Sequence, residues 1–174
     1  KPTTSHPSKT MKTQRTLSIR SLLASIASLL LAPAWASWVQ HADFPGTPRD
    51  MAICFAIGDK IYYGSGLSSD GVNYVIVDDF WMYDTELDTW SQRASFPNGG
   101  IYGCASFAVG NKGYVATGTS SGLGTTNNIW EYNPAADTWT MKSPLPGNSR
   151  HLASGFSIGT LGYVLGGSFG VTPL

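Results

Sequence analysis

"DFWMYDTELDTW" (79–90) and "NIWEYNPAADTW" (128–139) are two versions of one pattern. Each begins with an aromatic run in which Trp and Tyr alternate with other residues, passes through a polar quartet, and returns to apolar sequence at a Trp. Side chains two apart share one face of a strand, so the run reads as a β-strand with Trp and Tyr on one side and Phe or Ile on the other. "TELD" and "PAAD" read as the turn, and "TWSQRA" and "TWTMKS" as the strand that follows. A strand–turn–strand unit that returns after about fifty residues decides the fold class, because such periods belong to repeat architectures.

Working outward, Trp38, Trp90 and Trp139 stand 52 and 49 residues apart, and equivalent residues follow each at fixed offsets. At +6 comes Phe44, Phe96 or Leu145, each followed by Pro; at +17, Phe55, Phe107 or Phe156; at +24, Tyr62, Tyr114 or Tyr163. Gly58, Gly110 and Gly159 occupy +20, and Gly66, Gly118 and Gly167 occupy +28. All length variation falls between that last Gly and the next Trp, in "LSSDGVNYVIV" and "TSSGLGTTN". The Gly-rich "GSGLSS" and "SGLGTT" read as flexible inter-strand connections. "MAICFAIG" and "CASFAVG" read as inner strands, and "KIYYGSG", "KGYVATG" and "LGYVLGG" as their hairpin partners, joined where Gly accepts positive φ. Four antiparallel strands per repeat make one blade of a β-propeller.

The chain has 174 residues, with 42% hydrophobic and 13% charged, which excludes disordered, collagen-like and coiled-coil classes. Eleven basic and eleven acidic residues cancel, so no positive surface argues for nucleic acid. Residues 1–10 read as a non-structural upstream segment. Residues 11–36 read as a secretory signal peptide: Lys12, Arg15 and Arg20, an apolar stretch from Leu22 to Leu31, then Ala34 and Ala36 around Trp35. The apolar stretch is far short of the ~20 residues that span a bilayer, so no membrane association is expected after cleavage. Secretion, to a periplasm or the extracellular space, is the expected localisation, and residues 37–174 are the expected repeat domain.

The Gly pair ending "GYVLGG", the Tyr of "WMYD" and "WEYN", and the Trp of "DTW" resemble kelch repeats across the whole of that domain. Ser65 and Thr117 depart from the motif by replacing the first Gly of the pair. The resemblance implies an all-β, kelch-type β-propeller with about two complete four-stranded blades and partial flanking ones. The partial blades are a fourth strand at Trp38 and first and second strands from about His151 to Gly167. Closed propellers of this type have about six or seven blades, so the chain is expected to be part of a longer protein. Cys54 and Cys104, on the inner strands of successive blades, are expected to be buried free thiols, since equal parity points them toward different interfaces.

Kelch proteins include copper oxidases acting on galactose, sialic-acid mutarotases of the bacterial periplasm, and peptide-capturing adaptors. With only His41 and His151 in the expected mature chain, no metal site or cofactor is expected in these residues. Nor is there a nucleophile elbow or P-loop. The suggestive polar positions are +11 and +12, expected to open the innermost strand: Arg49 and Asp50, Ile101 and Tyr102, Arg150 and His151. In kelch propellers that end lines the rim of the central channel, and "FPGTPRD" looks like the matching segment of the sialic-acid mutarotases. Arg49, Asp50, Tyr102, Arg150 and His151 are therefore the candidate ligand-binding residues, with Arg49 and Arg150 expected on one face and Tyr102 between them. The competing reading is that the arginines pair with backbone carbonyls or nearby acids and seal the channel. The leading function is a secreted binding or interaction domain taking a protein or acidic carbohydrate. A sugar-active enzyme with catalytic residues in other blades, and a structural repeat of a larger surface protein, are the alternatives.

Overall fold

The structure, a computed structural model, describes residues 38–170 and the backbone of 172–173. The expected signal peptide and upstream segment lie outside the described residues. The chain divides into two units, Lys1–Gln40 and His41–Leu174. The described part of the first, residues 38–40, has no strand, so the fourth strand expected at Trp38 does not form there, and Trp38 is fully exposed.

The second unit is built from strands alone apart from one short 3₁₀ turn, Pro97–Gly99. The first repeat supplies β1 (Arg49–Asp50), β2 (Ile53–Ile57), β3 (Lys60–Gly64), β4 (Leu67–Ser69), β5 (Tyr74–Ile76), β6 (Phe80–Asp84) and β7 (Thr89–Arg93). In the second are β8 (Ile101–Tyr102), β9 (Ala105–Val109), β10 (Lys112–Ala116), β11 (Thr119–Ser120), β12 (Gly124–Thr125), β13 (Ile129–Asn133) and β14 (Thr138–Lys142). To the third belong β15 (Ser154–Ile158), β16 (Leu161–Leu165), β17 (Ser168–Phe169) and β18 (Thr172–Pro173). Two four-stranded antiparallel blades, β2-β3-β6-β7 and β9-β10-β13-β14, are followed by the hairpin β15-β16. Each inner hairpin turns in two residues, opened by Gly58, Gly110 or Gly159 at φ 57°, 58° and 59°. That region costs Gly nothing and other residues more.

The shared motif residues are what bind one repeat to the next. Trp139 donates its indole N–H to the Ala94 carbonyl (3.0 Å), and Trp90 does the same to Ala42 (3.1 Å). Asp137 and Asp88, both at positive φ, each accept from the Tyr hydroxyl five residues earlier, Tyr132 or Tyr83. Each also accepts a backbone N–H from the preceding repeat, Ala94 or Ala42. The +6 aromatic is the wedge: Phe96 is buried against Trp130 and Trp139, and Phe44 packs on Tyr63, Trp81 and Trp90. Between the two blades Tyr132 lies 5.5 Å from Tyr62 and 5.0 Å from Phe80, centroid to centroid. Phe55, Tyr62, Phe80, Phe96 and Tyr132 thus form the buried core, with Trp130 and Trp139 packed against it. A Cβ on Gly113 would fall inside the Phe55 ring, and one on Gly162 inside the Phe107 ring, so glycine at +23 seats the +17 Phe of the preceding blade.

Two expectations are corrected. Both cysteines are free and neither is fully buried: Cys104 is half-buried against the core, where burial pushes its thiol up to about 12. Cys54 is exposed because it shares a face with Tyr63, opposite the Phe55–Tyr62 face that the second blade covers. The variable segments are not loose connections either. They fold back as β4-β5 and β11-β12 and, with β1 and β8, make small three-stranded sheets β1-β4-β5 and β12-β11-β8.

Candidate functional site

The small sheets lie beyond one end of the inner hairpins, and two backbone kinks per repeat place them there. The first is at +13, where Met51, Gly103 and Leu152 take φ 50°, 60° and 57°. The second is at +27, where Ser65, Thr117 and Gly166 take φ 51°, 63° and 64°. So Arg49 and Asp50 do not open the innermost strand: they form β1, separated from β2 by the left-handed Met51. Successive repeats are joined at these kinks. Gly103 N–H donates to Met51 O (3.1 Å) and Leu152 N–H to Gly103 O (2.6 Å), while Gly66 and Gly118 donate to Ile101 O and Arg150 O (2.8 Å each). The result is a row of equivalent residues along one rim.

The expected site residues divide within that row. Arg49 grips Asp79 through both terminal nitrogens, at 2.5 and 2.9 Å, and bonds the carbonyls of Thr47 and Ser65. Its side chain is 1% exposed and lies over the Phe44 ring at 5.0 Å. Burial would raise the Asp79 carboxyl, but the bonds from Arg49 and from the Trp81 indole outweigh it and hold it below the usual range. Arg150 has no such acid among the described residues. Its guanidinium bonds the Asn148 and Gly166 carbonyls and stays at the surface. Asn148, Ser149 and Phe169 line a shallow cleft of about 320 Å³ nearby.

Strand parity corrects the arrangement expected of Arg49, Tyr102 and Arg150. The residue equivalent to the two arginines is Ile101, which is 1% exposed. Tyr102 is one residue further on, as are Asp50 and His151, and neighbouring residues in a strand face opposite ways. Tyr102 therefore belongs with Asp50 and His151 and does not stand between the arginines. His151 pairs with Ser168 through both backbone groups, its Nε2 lies 3.4 Å from Ser168 Oγ, and its Nδ1 is buried with no partner among the described residues. Among the described residues no group of three or more His, Cys, Asp or Glu could hold a metal ion.

Sequence reasoning missed four contributors. Asp79 could have been found, since it opens the quoted stretch where its counterpart is Asn128, and the pairing Arg49–Asp79 against Ile101–Asn128 is a visible covariation. Ser65, taken as a weakened Gly, uses its hydroxyl to hold Ile101 N (2.7 Å) and Ile101 O (2.8 Å) across the repeats. Met51 and Leu152 carried no sequence signal, because nothing in their identity announces positive φ.

The architecture matches a known one. The solved structure of YjhT superposes with a TM-score of 0.66 at 18% identity, over 75% of this chain and 48% of that one. The fold is that of a kelch-type β-propeller. No protein-family model matches the chain. Among curated proteins, an N-acetylneuraminate epimerase of Yersinia enterocolitica is 32% identical over 75 residues, which is 41% of this chain and 19% of that protein. One from Shigella sonnei is 31% identical over 88 residues, 49% of this chain and 24% of that protein. The chain therefore matches about a fifth to a quarter of the length of these relatives. Among the described residues, no helix is long and apolar enough to cross a membrane.

Proposed function

We propose that this chain is a secreted kelch-propeller binding domain, periplasmic or extracellular, whose rim takes a carboxylate-bearing sugar of the N-acetylneuraminate class. One observation carries the reading. At +11 the first repeat already builds a bidentate guanidinium–carboxylate clamp, Arg49 on Asp79, and the same backbone position in the third repeat presents Arg150 at the surface, with Nε and Nη1 steadied by carbonyls. A guanidinium held through Nε and one hydrogen of Nη1 still offers its Nη1–Nη2 edge, pre-organised for a carboxylate. Tyr102, Asp50 and His151 occupy the neighbouring row, facing away from Arg150, with His151 Nε2 against Ser168 and its Nδ1 buried. Arg49, committed to Asp79, positions the rim. The similarity to N-acetylneuraminate epimerases supports the choice of an acidic sugar over a protein ligand.

The same similarity favours a second reading, in which the rim belongs to a sugar-active enzyme whose catalytic groups lie partly in other blades. Saturation-transfer NMR with N-acetylneuraminate tests binding. The wild-type chain is expected to give transfer to the sugar, and Arg150→Ala to weaken binding by about 10- to 150-fold, the equivalent of ~1.5–3 kcal/mol for a charged hydrogen-bonded contact. No transfer in the wild type, or equal binding by Arg150→Ala, would overturn the reading. Accelerated interconversion of the sugar's forms in the same samples would favour the enzyme.

A further inference from the structure

We infer that the first repeat carries a groove for a linear polyamine, a methylene chain with an ammonium at each end. The groove shares no residue with the acidic-sugar site at Arg150. Two cavities beside the β1-β4-β5 sheet, of about 590 and 290 Å³, have Thr47 and Val77 as common walls and so run together. Asp78 lines one and Asp70 the other. Asp70 stands opposite Asn73 across the hairpin turn. Asp78 follows Asn73 by five residues. The two acids are therefore roughly 17 Å apart along the strand direction.

The place of Asp78 in the repeat says what it lacks. Its counterpart is Asn127: each lies twelve residues before its repeat's Trp, and their carbonyls accept from equivalent amides, Phe96 N–H and Leu145 N–H, at 2.8 Å each. Asn127 Nδ2 donates to the carbonyls of Leu145 (3.0 Å) and Gly147 (3.3 Å). A carboxylate has no hydrogen to give, so Asp78 cannot serve the corresponding carbonyls of Phe96 and Asn98. It is exposed and forms no salt bridge among the described residues. A primary ammonium brings three donors and a positive charge, which suits a carboxylate beside unserved carbonyls. At the other end, Asp70 Oδ1 accepts the amides of Asn73 (2.7 Å) and Val72 (2.8 Å), which hold the carboxyl below its usual range and leave Oδ2 open. Between the ends the polar groups are already used. Ser68 Oγ donates to the Pro48 carbonyl, Thr47 Oγ1 accepts from Arg49, and Arg49 is closed by Asp79. What remains is Val75, Val77 and Pro48. Methylenes fit such a stretch, whereas a peptide would leave backbone N–H and C=O groups without partners there.

The test is an amide-resolved NMR titration of the intact chain at low salt with three probes: spermine, putrescine, and a peptide of two lysines separated by four serines. Spermine, long enough when extended to reach both acids, should give saturable shifts at Thr47, Val75 and Val77. Asp78→Asn restores the side chain of the second repeat, and Asp70→Asn keeps the oxygen that holds the turn, so both variants should fold. Each should weaken spermine binding about two- to fivefold, the worth of an exposed ion pair. Putrescine, too short to span the groove, should bind more weakly than spermine by at least the same factor. No saturable shift with spermine, shifts that avoid the groove, equal binding by putrescine, variants that bind as the wild type does, or tighter binding of the peptide would each overturn the inference.

Discussion

Ser65 and Thr117 occupy the same left-handed position, at φ 51° and 63°, and both are fully buried, yet replacing each by glycine should have unequal consequences. The Ser65 hydroxyl accepts from Ile101 N–H and can donate to Ile101 O or Val77 O. Ser65→Gly leaves the N–H of a residue that is 1% exposed without its partner, at a cost of about 1–3 kcal/mol for an unsatisfied buried group. The Thr117 hydroxyl, by contrast, is buried with no partner among the described residues. Its removal forfeits only the burial of a methyl, about 0.8 kcal/mol. Both substitutions gain roughly 1 kcal/mol from relief of left-handed strain, and both loosen the unfolded chain equally. Those shared terms cancel in the comparison, so Ser65→Gly should be less stable than Thr117→Gly by up to about 2 kcal/mol, the lost partner less the methyl. Urea unfolding followed by tryptophan fluorescence measures the difference directly. Equal midpoints, or a more stable Ser65→Gly, would refute the claim that this hydroxyl clips one repeat to the next.

Two further outcomes follow from the packing and the charges. Gly113→Ala should destabilise the chain by about 1–3 kcal/mol, because the new methyl meets the Phe55 ring between blades; Gly58→Ala, whose Cβ meets nothing within 4 Å, isolates the backbone cost and should be milder. In acid, the Asp79 carboxyl is held below its ordinary value when folded, so the stability it contributes is present above about pH 4 and is lost as pH falls through the folded value. Asp79→Asn should flatten that acid limb of the stability–pH curve, and an unchanged limb would contradict the role of the Arg49–Asp79 pair.

The blades were legible in the sequence because their determinants are local and periodic. Trp90 and Trp139, the Tyr–Asp pairs, and the hairpin glycines sit at fixed offsets and perform the same bond in each repeat. The rim was legible only as a location. Its side-chain directions depend on kinks at +13 and +27 that non-glycine residues occupy in several cases, so composition gave no hint that β1 is detached from β2. The same kinks hid the fate of Arg49, whose acid lies 30 residues away, just before β6. The variable segments looked like loops because they are Gly-rich. They become strands by pairing with β1 and β8, a tertiary contact that local propensity does not contain.

The account rests above all on the repeat-to-repeat register that lines up Met51, Gly103 and Leu152 along one rim. Amide hydrogen exchange by NMR tests it most directly. The N–H groups of Gly103 and Leu152, bonded to Met51 O and Gly103 O of the preceding repeats, should be protected by orders of magnitude relative to an exposed turn amide such as that of Gly122. If Gly103 and Leu152 exchange as fast as Gly122, the repeats are not joined at this row, and both the shared rim and the site assigned to it are wrong.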